Sequence, residues 1–470
     1  MSIERLGLIE LRDKIASGEL SASEVVKAVL RRIDEQKDLN AIISVDGEGA
    51  IKRAKEIDDK KLGGALCGVP IVVKDNISTK NLRTTCASKS LINYAPPFDA
   101  TVVEKLKNEG AIIIAKANMD EFAMGSSGEN SAFGATKNPI DKTRVAGGSS
   151  SGSASAVASF MVSGALGSDT GGSVRLPSAY CGVVGLKPTY SVVSRYGLIA
   201  FASSFDQIGP ITRSVKDNAL LLNAIAGYDH RDSTSCKISV DYTHYSLGVK
   251  GKILGVPDEV FDLDYDSEVK EKIENAIKTY QSLGAKIKRI DLKHMDSALA
   301  SYYTITSAEA ASNLARFDGV AYGEREEGID FIRSCYATRT KGFGDEVKRR
   351  IMMGNFVLSG GYYEQYYIKA SKIRTIIKNE LDSALSGVDA IITPTAPTVA
   401  PALYKQRKNS TEIYYEDIFT VIANVSGNPA ISIPCGVDKQ GLPIGLQLMG
   451  KAYGEQTLYG IAQTIEEEVR

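Results

Sequence analysis

The chain of 470 residues contains only three histidines and no excess of either charge. It also lacks any apolar stretch near the roughly 20 residues that a membrane helix needs. Each shortage excludes something. With 56 Lys plus Arg against 57 Asp plus Glu, the net charge is -1, which leaves no basic field for gripping nucleic acid directly. The one basic cluster, Lys348–Arg350, is too short to change that, so any RNA partner is expected on another chain. Six cysteines (Cys67, Cys86, Cys181, Cys236, Cys335 and Cys435) lie far apart without a CxxC pair. That spacing argues against a zinc site and against a disulfide framework. The opening MSIERLGLIELRDKI is charged throughout and has no apolar core of a signal peptide, which predicts a cytoplasmic protein.

What is present is the ordinary balance of a soluble globular chain, 43% hydrophobic and 24% charged. Ser21 and Glu24 form a capping-box pattern ahead of VVKAVLRRIDEQ, so residues 1–60 read as helical. From Cys67 onward, short β-rich runs such as Val69–Val73 and Ala111–Ala115 alternate with helical segments such as Thr101–Glu109. The alternation predicts an α/β architecture. KILGVP, Ser267–Leu283 and KIKRIDL repeat it as strand, helix and strand, and AIITPTAP, AISIPCG and IGLQLMG supply further strands. Residues 301–386 read as a mostly helical, tyrosine-rich insertion. No internal repeat or linker breaks the chain, which predicts one domain over residues 1–470 with a core at 67–215.

The chemistry concentrates in residues 146–189. GGSSSGS by itself has the composition of a linker, yet it runs into small and apolar residues suited to a buried helix. A second turn, Ser168-Asp-Thr-Gly-Gly-Ser173, brings Ser173 in 24 residues after Ser149. Two glycines before a serine allow positive φ, and successive N–H groups in such a turn can converge on an anion. Acyl transfer requires that convergence, because its tetrahedral intermediate carries an oxyanion.

A serine nucleophile needs a base. His230 and His244 flank a polar, turn-like stretch and His294 follows a strand; all three read as surface or structural residues, which makes a Ser–His–Asp triad a poor fit. A lysine serves instead if it is buried and neutral. Lys74 ends the apolar run Val-Pro-Ile-Val-Val, which carries it inward. Lowering a lysine from about 10.4 to a working value near 7–8 requires substantial burial.

GGSSSGSASAVA, then GSDTGGSVRLPSAYCGVVGLKPT, with Lys74 in GVPIVVKDN, resembles the amidase signature family from about Ile15 to the C-terminus. The resemblance implies that family's fold, a mixed twisted sheet covered by helices on both faces with a helical insertion in the C-terminal half. By position it implies Ser173 as nucleophile and Ser149 as relay to Lys74, with a cis peptide bond after Gly148. The N–H groups of Thr170, Gly171, Gly172 and Ser173 are then the expected oxyanion donors. Ser151 stands where the family often has glycine and is expected to be silent.

Within the family, ANMDEFAMGSSGENSAFGATKNP, SRYGLIAFASSFDQIGPITR, SNLARFDGVAYG and GFGDEVKRRIMMGNF are similar to the glutamine-hydrolysing components of aspartyl/glutamyl-tRNA amidotransferases. That likeness implies glutamine as substrate and, as partners, the B and C subunits of a heterotrimer. Ammonia would pass to the B component, which holds the tRNA and uses ATP and Mg2+; no cofactor or metal is expected in this chain. It further implies Arg350 on the α-carboxylate, with Arg349 as fallback, and Asp417 on the α-ammonium. Tyr302 is expected to hydrogen-bond nearby, and Ser126 joins the substrate site. A free-standing amidase acting on small or aryl amides would keep Lys74, Ser149 and Ser173 without needing the Arg350/Asp417 pair.

Overall fold

The computed structural model describes residues 2–60, 63–405 and 412–469. Its frame is a single sheet of eleven strands. They are β1 (Ile42–Val45), β2 (Pro70–Lys74), β3 (Ile112–Ala117), β4 (Gly164–Asp169), β5 (Val184–Lys187), β6 (Gln207–Thr212), β7 (Ile253–Pro257), β8 (Lys286–Ile290), β9 (Ala390–Pro394), β10 (Ala430–Val437) and β11 (Pro443–Met449). Their order across the sheet is β1-β3-β2-β4-β6-β5-β10-β11-β9-β7-β8. β2 runs parallel to both β3 and β4, and β7 parallel to β8 and β9, while the central pairs from β4 to β9 are antiparallel. The sheet is therefore mixed.

Both faces of the sheet are covered. In β2, Ile71 and Val73 join one apolar cluster while Val72, pointing the other way, joins a second. A strand buried on both faces reads as a continuous apolar run rather than an alternating one, which is why PIVV carries no polar residue before Lys74. The first cluster takes in the helix Val215–Ile225 and the helix Glu455–Val469; the second takes in the helix Ala22–Glu35. Ser21 and Glu24 make the reciprocal capping box at the start of the helix Ala22–Glu35.

The strands expected near Val69, Ala111, Lys250, Lys286, Ala390, Ala430 and Ile444 all form. One expectation is corrected: residues 1–60 are not helical throughout, because β1 lies between the helices Ala22–Glu35 and Gly47–Lys60. It pairs antiparallel with β3, and an edge strand of four residues leaves little periodicity to read. The tyrosine-rich insertion contains the helices Met295–Asn313, Phe331–Gly342, Asp345–Leu358 and Lys369–Ser386. Two of them carry Tyr302 and Arg350, two of the residues expected to recognise substrate.

Candidate active site

Lys74 is the last residue of β2 and is fully buried. Its Nζ lies 2.7 Å from Ser149 Oγ, 3.0 Å from Ser168 Oγ and 3.1 Å from the Ser168 carbonyl. Burial penalises the ammonium and lowers its pKa to about 7, against the opposing pull of Asp120, Asp169 and Asp206. Such a lysine is substantially neutral at physiological pH. Ser168 is held in turn by Asn76, whose Nδ2 donates to Ser168 Oγ at 2.9 Å.

Ser149 sits at the entrance to the helix Ser151–Ala158, and the Gly148–Ser149 peptide bond is cis. Asp120 fits tightly beneath this turn. A Cβ added at Gly148 would lie 1.9 Å from Asp120 Oδ2, and the Asp120 N–H donates to the Ser149 carbonyl at 3.2 Å. Ser150 N–H donates to the Ser173 carbonyl at 3.1 Å, which fastens the two serine turns together. Ser151 Oγ donates to Thr136 Oγ1 at 3.1 Å, so this hydroxyl is turned to a structural partner.

The Ser173 turn follows β4 directly. Gly172 has φ +134°, and a Cβ there would meet Thr420 Oγ1 at 2.3 Å; at Gly171 it would meet the Tyr302 ring at 2.4 Å. Both positions need glycine, one for conformation and space, the other for space alone. Asp169 braces the turn from within. It accepts from Gly172 N–H at 2.8 Å and Val174 N–H at 3.1 Å, and it pairs with Arg175 at 3.0 Å. Burial raises the Asp169 pKa, but the Arg175 guanidinium and the Asn424 amide more than reverse that, holding it well below the usual carboxylate range. This corrects one expectation: the Gly172 N–H is committed to Asp169 and is not a spare anion donor.

The second half of the site lies across this turn. Arg350 is 3% exposed and its Nε donates to Glu346 Oε1 at 2.7 Å, while its guanidinium stacks over Tyr303 at 4.5 Å and Tyr414 at 4.9 Å. Its Nη1 is buried without a hydrogen-bond partner among the described residues. Burial alone would lower its pKa, but the surrounding phenols and Glu346 raise it above the usual value, so the charge persists. Arg349 is half-exposed and pairs with the other oxygen of Glu346. Adjacent helical residues face about 100° apart, and it is Arg350 that faces inward.

Asp417 is buried and accepts from Ser126 Oγ at 2.9 Å on both carboxylate oxygens. Tyr303 Oη donates to Asp417 Oδ2 at 2.5 Å. Burial raises the Asp417 pKa to about 6, partly offset by these two donors and by Arg350. The phenol on Asp417 is therefore that of Tyr303. The hydroxyl of Tyr302, the residue expected to hydrogen-bond there, makes no hydrogen bond within the described residues; the ring packs on Gly171 and edge-on against Phe205 and Tyr303. Both tyrosines stand in SYYTITSAEA, but a helix turns consecutive side chains to different neighbours, and sequence alone does not say which meets Asp417.

Residues 24–459 match the family model described as Amidase. The chain belongs to the amidase family. It is 52% identical to the A subunit of glutamyl-tRNA(Gln) amidotransferase from Halothermothrix orenii, over 99% of this chain and 98% of that one. The crystal structure of the A subunit of glutamyl-tRNA(Gln) amidotransferase from Thermotoga maritima superposes with a TM-score of 0.82 at 42% identity, covering 99% of this chain and 95% of that chain. The peptide amidase of Stenotrophomonas maltophilia superposes with a TM-score of 0.83 at 30% identity, over 99% and 97%. The mixed sheet with its helical cover is thus the amidase fold.

In this amidase the three histidines lie outside the site. His230 and His244 have side chains 83% exposed beside Asp229 and Asp241, and His294 pairs with Glu380 at the surface. The six cysteines are unbridged. Among the described residues no group of three His, Cys, Asp or Glu side chains is placed to hold a metal ion, and no helix is long and apolar enough to cross a membrane. Sequence reasoning passed over Ser168, Asp169, Arg175 and Glu346. The signal for two of them was present: an acid and an arginine embedded in a small, apolar tract must be paired to be buried.

Proposed function

We propose that this amidase hydrolyses the side-chain amide of glutamine, with Ser173 as nucleophile, Ser149 as relay and Lys74 as base. The observation that carries the reading is the 2.7 Å contact of a fully buried Lys74 with Ser149, together with a buried Arg350 whose Nη1 has no hydrogen-bond partner among the described residues. Neutral Lys74 takes the Ser149 proton while Ser149 takes that of Ser173, and Ser173 Oγ attacks the amide carbon. The N–H groups of Thr170, Gly171 and Ser173 receive the oxyanion. Collapse of the intermediate expels ammonia, which recovers a proton from Lys74 through Ser149. The glutamyl ester left on Ser173 is then hydrolysed by water activated along the same path.

Arg350 supplies free donors for the α-carboxylate, and Asp417, held by Ser126 and Tyr303, accepts the α-ammonium. A simple amidase has no use for this pair of opposite charges. We further infer that the chain is the glutaminase component of a heterotrimer completed by the B and C subunits. Its ammonia would be consumed where the B component, using ATP and Mg2+, converts Glu-tRNA(Gln), Asp-tRNA(Asn) or both; the relatives carry the first of these in their names. The decisive experiment is transamidation by the three-component assembly with Ser173→Ala. Glutamine-dependent product should vanish while product from added ammonium salt persists. Undiminished glutamine-dependent product would refute the mechanism.

A further inference from the structure

The helix Asp345–Leu358 carries both Glu346 and Arg350, yet the residue before it is Gly344, which has no side chain to cap the first turn. An uncapped helix start leaves backbone N–H groups without partners. Here a distant residue supplies the cap. Gly344 N–H donates to Glu121 Oε2 at 2.8 Å, and the same carboxylate's Oε1 accepts from Ser88 Oγ at 2.5 Å. A Cβ at Gly344 would lie 2.4 Å from Glu121 Oε2, so the close approach itself requires glycine. Ser88 Oγ also reaches the Gly342 carbonyl at 3.2 Å, fixing the other side of the Gly-Phe-Gly turn.

Glu121 is itself rigidly mounted. It is 5% exposed, and its N–H donates to the Asn130 carbonyl at 2.7 Å. Its neighbour Asp120 accepts from the N–H groups of Gly128 at 3.0 Å and Asn130 at 2.9 Å, and donates to the Ser149 carbonyl. Two consecutive residues thus face opposite ways: Asp120 supports the Ser149 turn, and Glu121 holds the start of the Arg350 helix. A carboxylate at a helix N-terminus also meets the positive end of the macrodipole. Burial raises the Glu121 pKa to about 7, a cost that Ser88 and Gly344 offset only in part. A carboxylate is retained in a dry place at such a cost when it fixes geometry.

We propose that Glu121 is a positioning residue for substrate recognition: by capping the Arg350 helix from outside, it sets that guanidinium at the right distance from the Ser149 and Ser173 turns. The proposal rests on the glutamine reading above. Glu121 touches no reacting atom; it acts through Arg350. Displacement of a positioned group by about 1 Å can cost on the order of 100-fold in rate.

The test compares the assembled enzyme with Glu121→Ala, Glu121→Gln, Arg350→Ala and the double variant Glu121→Gln/Arg350→Ala. Two substrates are used: glutamine and 4-aminobutanamide, which is glutamine without its α-carboxylate. Glu121→Gln keeps size and shape and is the variant to read if Glu121→Ala does not fold. The expected result is a loss of about 10- to 100-fold in kcat/KM on glutamine, mostly in KM, with 4-aminobutanamide changed less than about twofold. In the Arg350→Ala background, Glu121→Gln should add nothing on glutamine. Equal losses on both substrates, or full additivity in the double variant, would overturn the proposal. If Arg350→Ala weakens glutamine but Glu121→Gln and Glu121→Ala do not, the proposal fails and the glutamine reading stands. If Arg350→Ala leaves glutamine untouched, the glutamine reading fails and takes the proposal with it.

Discussion

The acid side of the pH profile separates the chemistry from the recognition, because each depends on a different buried group. Burial disfavours the charged form of Lys74, so the folded protein releases that proton near pH 7 rather than near 10.5, and activity rises with pH through that window. With a pKa of about 7, roughly nine-tenths of the lysine is neutral at pH 8 and roughly one-tenth at pH 6. Protonation of Lys74 alone should therefore cost every amide substrate about tenfold in kcat/KM between those values. Burial shifts the Asp417 pKa in the opposite direction. Burial raises its pKa to about 6, so its carboxylate is ionised above that and protonated below it. Only a substrate bearing an α-ammonium depends on the ionised form. The assay is kcat/KM from pH 8 to 5 on glutamine and on glutaramate, which is glutamine without the α-ammonium.

Asp120, also raised to about 6 by burial, sits under the Ser149 turn and affects both substrates alike, so it cancels in their ratio. The ratio of glutamine to glutaramate should stay level from pH 8 to 7, then fall about tenfold by pH 5. The fall belongs to kcat/KM, which reports the free enzyme; bound ammonium holds Asp417 ionised and should leave kcat less affected. A ratio unchanged down to pH 5 would remove Asp417 from the ammonium. A profile flat for both substrates would remove Lys74 as the base.

Arg350→Ala should cut kcat/KM on glutamine roughly 30-fold or more, from the about 2–5 kcal/mol of a buried charge pair, and leave 4-aminobutanamide within a few-fold; steady-state kinetics on the pair checks it. Tyr303→Phe removes the 2.5 Å donor to Asp417 and should raise KM for glutamine about 10- to 100-fold, from the about 1.5–3 kcal/mol of a hydrogen bond to a charge. The same assay on Tyr302→Phe, which removes no hydrogen bond, should show a change of less than about threefold. Gly172→Ala must strain φ +134° and push Thr420, so kcat should fall on the order of 100-fold for glutamine and glutaramate alike.

The contact of Lys74 with Ser149 was legible because its signals are local. Lys74 closes an apolar strand, and the Ser149 and Ser173 turns each spell out their own glycines, so residue type and spacing carry most of the geometry. The recognition half was legible only as residue types. Arg350, Asp417 and Ser126 do converge, but they come from a helix, from the segment Glu412–Asp417 and from the loop after β3, and no local pattern reports that convergence. Hence the hydrogen bond expected of Tyr302 falls to Tyr303. The Gly172 N–H was lost to Asp169 for a similar reason, since a turn rich in donors does not say which of them an internal carboxylate has already taken. β1 escaped notice because a four-residue edge strand between two helices has too few residues for a period to show.

These two halves are joined more closely than their separate origins suggest. Thr420 Oγ1 donates to the Gly171 carbonyl at 2.6 Å and lies 3.1 Å from the carbonyl of Asp417. Tyr302 packs on Gly171 as well, beside the Tyr303 that holds Asp417. Any movement of Asp417 therefore presses, through Thr420, on the Gly171 carbonyl in the turn that carries Ser173. Arg175 adds a second tie, bonding Asp169 under the turn and the Thr420 carbonyl at 2.9 Å with one guanidinium. Packed groups of this kind shift together or not at all. A ligand that fills the Arg350 and Asp417 positions would thus fix the Ser173 turn as well. On the proposed reading, that would give recognition of the whole amino acid, and not of its amide alone, a physical route to the rate of attack on the amide.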